Sequence, residues 1–111
     1  MIRAEMKVIA SESRVEEILR TLKWLMGQLE AEPGLVEADL YRSLDGDEVV
    51  LIQRWRTRED LFQYLRSDEL LRLLEVMDLS TRSPQLHFET VSERQGLELV
   101  EAVRHDKSEN R

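Results

Sequence analysis

Cysteine is absent from the chain. That removes thiolate ligation of zinc, iron–sulfur clusters and haem, together with every cysteine-nucleophile mechanism, and it accords with a reducing compartment. Histidine is almost as scarce. His87 and His105 do not make the convergent set of ligands that a metal site needs, and the carboxylates are scattered over faces that read as solvated, so no metal is expected. Gly27, Gly34, Gly46 and Gly96 stand singly and form no phosphate-cradling loop. No apolar run approaches membrane-spanning length. The opening segment MIRAEMKVIASES interleaves charges where a signal peptide requires an unbroken apolar stretch, so a cytoplasmic chain with no membrane partner is expected. No basic cluster offsets a formal net charge of −7. A nucleic-acid backbone is excluded as a partner, because binding one depends on lysine and arginine neutralising phosphates.

What is present is a strongly patterned single domain of 111 residues with 35% charged side chains, large enough for one core and small enough to gain from pairing with a second copy. Ile2, Ala4, Met6 and Val8 alternate with Arg3, Glu5 and Lys7, the period of a strand with one buried face. Ser13 and Glu16 have capping-box spacing. Val15, Ile18, Leu19, Leu22, Met26 and Leu29 then form one stripe of a helix that must end before Pro33-Gly34. Val36, Ala38 and Leu40 alternate with Glu37, Asp39 and Tyr41 in a second strand. Asp45-Gly46 predicts a hairpin turn with positive φ at both residues, returning the chain through Val49 to Arg56.

Thr57 and Asp60 again have capping-box spacing, before a second helix that starts with Leu61, Phe62 and Leu65. Ser67-Asp68-Glu69 predicts a break and restart, with Leu70, Leu73, Leu74 and Met77 as the next stripe. Leu86, Phe88 and Thr90 alternate with Gln85, His87 and Glu89 in a fourth strand. The order βαββαβ is an α+β, ferredoxin-like arrangement, a four-stranded antiparallel sheet with helices on one face. Its other face carries Arg3, Glu5, Lys7, Gln85, His87 and Glu89 and is either wet or paired with another subunit. Residues 1–92 make this domain and 93–111 a C-terminal extension. Leu97, Leu99, Val100 and Val103 suit packing on a partner as a short helix or strand, with His105 to Arg111 frayed.

The element order, the segment EPGLVEADLYRSL and the segment QRWRTREDLFQYLRSDELLRLL together resemble the antibiotic biosynthesis monooxygenase family over about the first 92 residues. The resemblance implies a homodimer whose two sheets close into a dimeric α/β barrel, with a pocket in each subunit between sheet and helices. It also implies cofactor-independent oxidation of a small aromatic or quinol-like substrate, since an electron-rich phenolate can itself reduce oxygen once bound, deprotonated and shielded from water. No cofactor is needed. The histidine that many relatives carry in the second helix falls on Tyr64, and the glutamate they carry shortly before the tryptophan falls on Gln53. Both departures remove an ionisable group that serves as base. The alternative is therefore a non-catalytic ligand-binding or stress-associated dimer that kept the scaffold. A haem-degrading branch uses asparagine, tryptophan and histidine at positions that fall on Met6, Tyr64 and Leu74; none is retained, so haem oxygenation is rejected.

Met6, Trp55, Tyr64 and Leu74 are the expected pocket lining, and Tyr64 and His87 the candidate catalytic groups. Each has a plainer reading. A tryptophan at a strand end is more often core or subunit contact than a ligand platform, and Tyr64 can snorkel to solvent. His87, whose unperturbed pKa suits base catalysis, is flanked by Glu5 and Lys7 and fits a polar dimer network. Trp24 falls about 180° from Val15 on a helical wheel. It reads either as a ring half covered by Arg20 and Gln28 or as the contact for assembly beyond a dimer.

Overall fold

The computed structural model of the protein describes residues 1–44 and 46–109, residues 107–109 by backbone alone. Eight elements follow in order: β1 (Ile2–Ile9), α1 (Val15–Leu29), β2 (Leu35–Arg42), β3 (Glu48–Trp55), α2 (Arg58–Leu65), α3 (Asp68–Met77), β4 (Gln85–Thr90) and α4 (Leu97–Glu109). The strands form one antiparallel sheet in the order β2-β3-β1-β4, the ferredoxin-like topology. Its register sets Ala4 between Gln53 and Phe88, and Glu5 between Ile52 and His87.

Alternation divides the sheet cleanly. Ile2, Ala4, Met6 and Val8 of β1 and Val49, Leu51, Gln53 and Trp55 of β3 are all buried beneath the helices. One cluster joins Met6, Val8 and Leu51 to Ile18, Leu22 and Leu25 of α1 and Leu73 and Val76 of α3. A second joins Ile2 and Trp55 to Leu29, Leu61 and Tyr64. The opposite face carries a lattice of ion pairs: Arg3 to Glu5 (3.4 Å) and Glu89 (3.9 Å), Lys7 to Glu48 (3.3 Å), and Arg54 to Glu37 (3.0 Å) and Asp39 (3.9 Å).

Several local expectations are revised. The Ser13–Glu16 capping box does not form: α1 starts after Arg14 with no side-chain cap, the entering turn being closed by Ser11 C=O accepting from Arg14 N–H (2.9 Å) and Val15 N–H (3.0 Å). A bulge between Leu35 and Glu37 sets Leu35 against Trp55 and swings Val36 out of the core, leaving it 49% exposed. Asp45 lies outside the described residues. Gly46 does not take positive φ; the connection is held by Ser43, whose N–H donates to Glu48 C=O (3.0 Å) and whose hydroxyl accepts from Glu48 N–H (3.2 Å). The glycine at positive φ is Gly34, φ 88°.

Thr57 does cap α2, accepting from Asp60 N–H at 3.1 Å, but Asp60 receives the Thr57 hydroxyl (2.9 Å) instead of reaching back to the backbone. The break at Ser67 separates α2 from α3, with its hydroxyl donating to Tyr64 C=O at 2.6 Å. The C-terminal segment is a helix, α4, that continues to Glu109 past the expected fraying point at His105, and its side chains from Leu97 to Asp106 are all exposed. The radius of gyration, 17.5 Å, exceeds the ~13 Å of a compact chain of this length, as a projecting helix requires.

Candidate functional site

Trp55 closes β3, and its side chain turns inward because odd-numbered positions of that strand face the helices. Tyr64 of α2 stacks on it, ring centroids 5.0 Å apart and planes 22° from parallel. The indole N–H donates to Gln53 Oε1 at 3.1 Å, and Gln53 Nε2 stands beside the Tyr64 phenol without meeting hydrogen-bond geometry. Burial pushes the Tyr64 phenol above its ordinary pKa. The Gln53 amide pulls it back in part, and the carboxylates of Glu32 and Glu69 push it up further. At neutral pH Tyr64 is a neutral phenol. Positions 53 and 64, where the chain departs from the pattern it otherwise resembles, are therefore neighbours around one tryptophan.

The four residues expected to line a pocket do not come together. Trp55 and Tyr64 meet, but both are packed in the second core cluster. Met6 faces the same side of the sheet and is locked in the first cluster under α1 and α3. Leu74 is 40% exposed, because the helical period of α3 turns Leu73 and Val76 inward instead. His87 lies on the ion-paired face, cross-strand from Glu5, with the sheet between it and Tyr64. The two candidate catalytic side chains thus sit on opposite sides of one sheet.

The concavity that does exist lies beside the Trp55–Tyr64 stack. Helix α2 packs over β3 and α3; on the edge strand β4, Leu86 packs on the first cluster while the inner side at Phe88 and Thr90 is left uncovered. A recess of about 220 Å³ results. Ile2 and Leu61, which also belong to the second core cluster, give it an apolar floor. Phe62 and Leu65 of α2 face Phe88 and Thr90 of β4 across it. At its rim stand Arg58, whose guanidinium carbon is 5.3 Å from the Phe62 ring centroid, and Glu89, 3.9 Å from Arg3. Alternation on β4 already assigns Phe88 and Thr90 to the helical side; that α2 would stand clear of them depends on how the helix docks, which no local pattern records.

Trp24 is half exposed at 47%. Arg72 of α3 lies over it, the guanidinium carbon 4.6 Å from the ring centroid. Glu17, Thr21 and Glu75 complete a shallow polar notch around this pair. Among the described residues no group of three or more His, Cys, Asp or Glu side chains is placed to hold a metal ion, and no helix is long and apolar enough to cross a membrane.

This fold recurs in solved structures. Rv0793 from Mycobacterium tuberculosis is 24% identical, with a TM-score of 0.76 over 86% of this chain and 98% of its own. A mutant of SnoaB, a cofactor-independent oxygenase from Streptomyces nogalater, is 18% identical with a TM-score of 0.72 over 84% and 94%. A conserved protein from Methanosarcina mazei Go1 is 19% identical with a TM-score of 0.72 over 79% and 89%. No curated protein matches the chain. The sequence model of one family matches residues 1–76, from β1 to the last turn of α3, so that α2 and the Trp55–Tyr64 stack lie inside the match and the β4 wall of the recess lies beyond it. The chain belongs to the antibiotic biosynthesis monooxygenase family.

Proposed function

We propose that the protein is a homodimeric, cytoplasmic oxygenase that binds a small aromatic or quinol-like molecule in the recess between α2 and β4 and oxidises it with molecular oxygen, without metal or organic cofactor. The observation that carries this reading is the recess itself, apolar at its floor and flanked by Phe62 and Phe88. At about 220 Å³ it falls below the ~300–1,000 Å³ typical of drug-sized ligands, which suits a small planar occupant. Family membership supports the same chemistry. In such a reaction the substrate supplies all four electrons, two in bonding one oxygen atom and two that, with two protons, reduce the other to water, so the protein need only bind, orient and shield.

Homodimer formation is supported by two surfaces. The ion-paired sheet face has Val50, Ile52 and Tyr41 among its charges and no helix over it, and α4 presents Leu97, Leu99, Val100 and Val103 to solvent. Both are covered if two sheets face one another and each α4 crosses to the other subunit.

A specific feature favours a second reading, a binding protein without turnover. Among the described residues, the ionisable groups at the recess are Arg58 and Glu89, and the nearest phenol, Tyr64, is buried and neutral. Oxygen uptake by metal- and flavin-free protein, against a panel of quinols and polyphenols, separates the two. The oxygenase reading expects uptake above autoxidation that disappears when Leu65→Trp fills the recess and persists in His87→Ala. Ligand-induced thermal stabilisation with no uptake leaves the binding protein.

A further inference from the structure

Arg58 is placed where local electrostatics disfavour it. It is the first residue of α2, at the positive end of the helix, where the sequence otherwise supplies Glu59 and Asp60. Among the described residues no carboxylate lies within 4.0 Å of its guanidinium, so its charge is left for another partner. The carboxylate that shares its recess, Glu89, is engaged by Arg3. What Arg58 does touch is the face of Phe62, one wall of the recess. A guanidinium without a carboxylate partner, at the helix end where its charge is disfavoured and over the edge of an aromatic slot, is placed as a binding group is.

We propose that Arg58 makes the recess selective for aromatic molecules bearing an anionic oxygen group, a ring carboxylate or an ionised phenol or enol, over their neutral counterparts. This rests on the reading of the recess as the ligand site and names its substrate class. The aromatic body lies between Phe62 and Phe88, and the anionic group meets the guanidinium, which presents a fork of donors matched to a carboxylate. For an electron-donating substrate the same cation favours the ionised form that reduces oxygen.

The test is calorimetric titration of the full chain at pH 7.5 with 1-hydroxy-2-naphthoate and with its methyl ester, which share ring and phenol and differ in one charge. The acid is expected to bind about tenfold tighter than the ester, the advantage of one charge-assisted contact at a partly exposed site, and to lose that advantage as salt is raised. Arg58→Gln should abolish the preference, Arg58→Lys should keep part of it, and Arg94→Gln, in the separate basic recess formed with Arg3, Arg54 and Met1, should leave it intact. Equal binding of acid and ester, or a preference that survives Arg58→Gln, overturns the proposal and leaves the recess as a ligand site; a preference that vanishes in Arg94→Gln places the binding in the other recess and overturns both. Binding of neither compound overturns both.

Discussion

Trp55 and Tyr64 stack at 5.0 Å between ring centroids, and the indole N–H of Trp55 is held at 3.1 Å by the Gln53 side chain, itself 4% exposed. Three side chains from β3 and α2 therefore fix how the second helix sits on the sheet, and with it the width of the recess. Tyr64→Ala should cost about 3–5 kcal/mol, the range for deleting a buried aromatic ring. Urea unfolding followed by far-UV circular dichroism measures it. A loss below about 1 kcal/mol would mean that the stack does not hold α2 in place.

Tyr64 also predicts an alkaline limit. Its folded-state pKa lies above its ordinary 10.0, so above pH 10 the unfolded chain gives up the proton first and the native state binds more protons than the unfolded one. Stability is unaffected by this group below the ordinary value and falls as pH rises from there towards the raised one. Melting temperatures taken from pH 8 to 11 should drop less steeply in Tyr64→Phe than in the parent.

Gln53→Glu should be tolerated in acid and harmful at neutral pH. A carboxyl at this buried position is raised above the usual carboxylate range by desolvation. The variant therefore matches the parent best where the acid is protonated, and loses stability as pH climbs through the raised value. Parallel denaturation curves at pH 5 and pH 8 read out the difference; an identical deficit at both would show that the new carboxylate finds water.

Gly34 combines positive φ with a close approach: a Cβ added there would collide with the Asp60 side chain that receives the Thr57 hydroxyl. Gly34→Ala should destabilise by about 1–3 kcal/mol. The loss should be partly recovered by Asp60→Gly, which vacates the space at the expense of the hydrogen bond from Thr57. Chemical denaturation of both single variants and the double variant tests the coupling.

Assembly can be probed from both ends. Charged substitutions on α4, Leu99→Asp with Val103→Asp, should lower the particle mass measured by light scattering if α4 crosses to a second subunit. Trp24→Ala should cost about 0.5–1 kcal/mol from the lost contact with Arg72. A particle mass unchanged by that substitution would dismiss any larger assembly built on Trp24.

The strand and helix order was legible because every element announces itself at short range: period two in β1 and β4, the Thr57 cap, the Ser67 break, and Pro33-Gly34 after α1. What failed was geometry that a single extra residue alters. The bulge at Val36 reverses an alternation that looks regular on paper, and the helical phase of α3 exposes Leu74 while burying Val76, which the apolar stripe had not singled out. The site was harder still. Period-two reasoning assigns Met6 and Trp55 to the inner side of the sheet, as found, but an inward side chain lines a cavity only if no helix covers it, and both are covered. The uncovered strip is the Phe88–Thr90 end of β4, at the edge, and the facing pair Phe62 and Phe88 are separated in sequence by the end of α2, all of α3 and the loop beyond it.

The bulge on β2 has a consequence for crowded solutions. Of the sheet's two outer margins, β2 offers an incoming strand a kinked ladder that carries Glu37, Asp39 and Arg42, a poor template for addition of another copy. The other margin, β4, is a regular run of six residues from Gln85 to Thr90. Runaway polymerisation of partly unfolded chains would start from that margin, where the side chains Gln85, His87 and Glu89 supply the main polar deterrent.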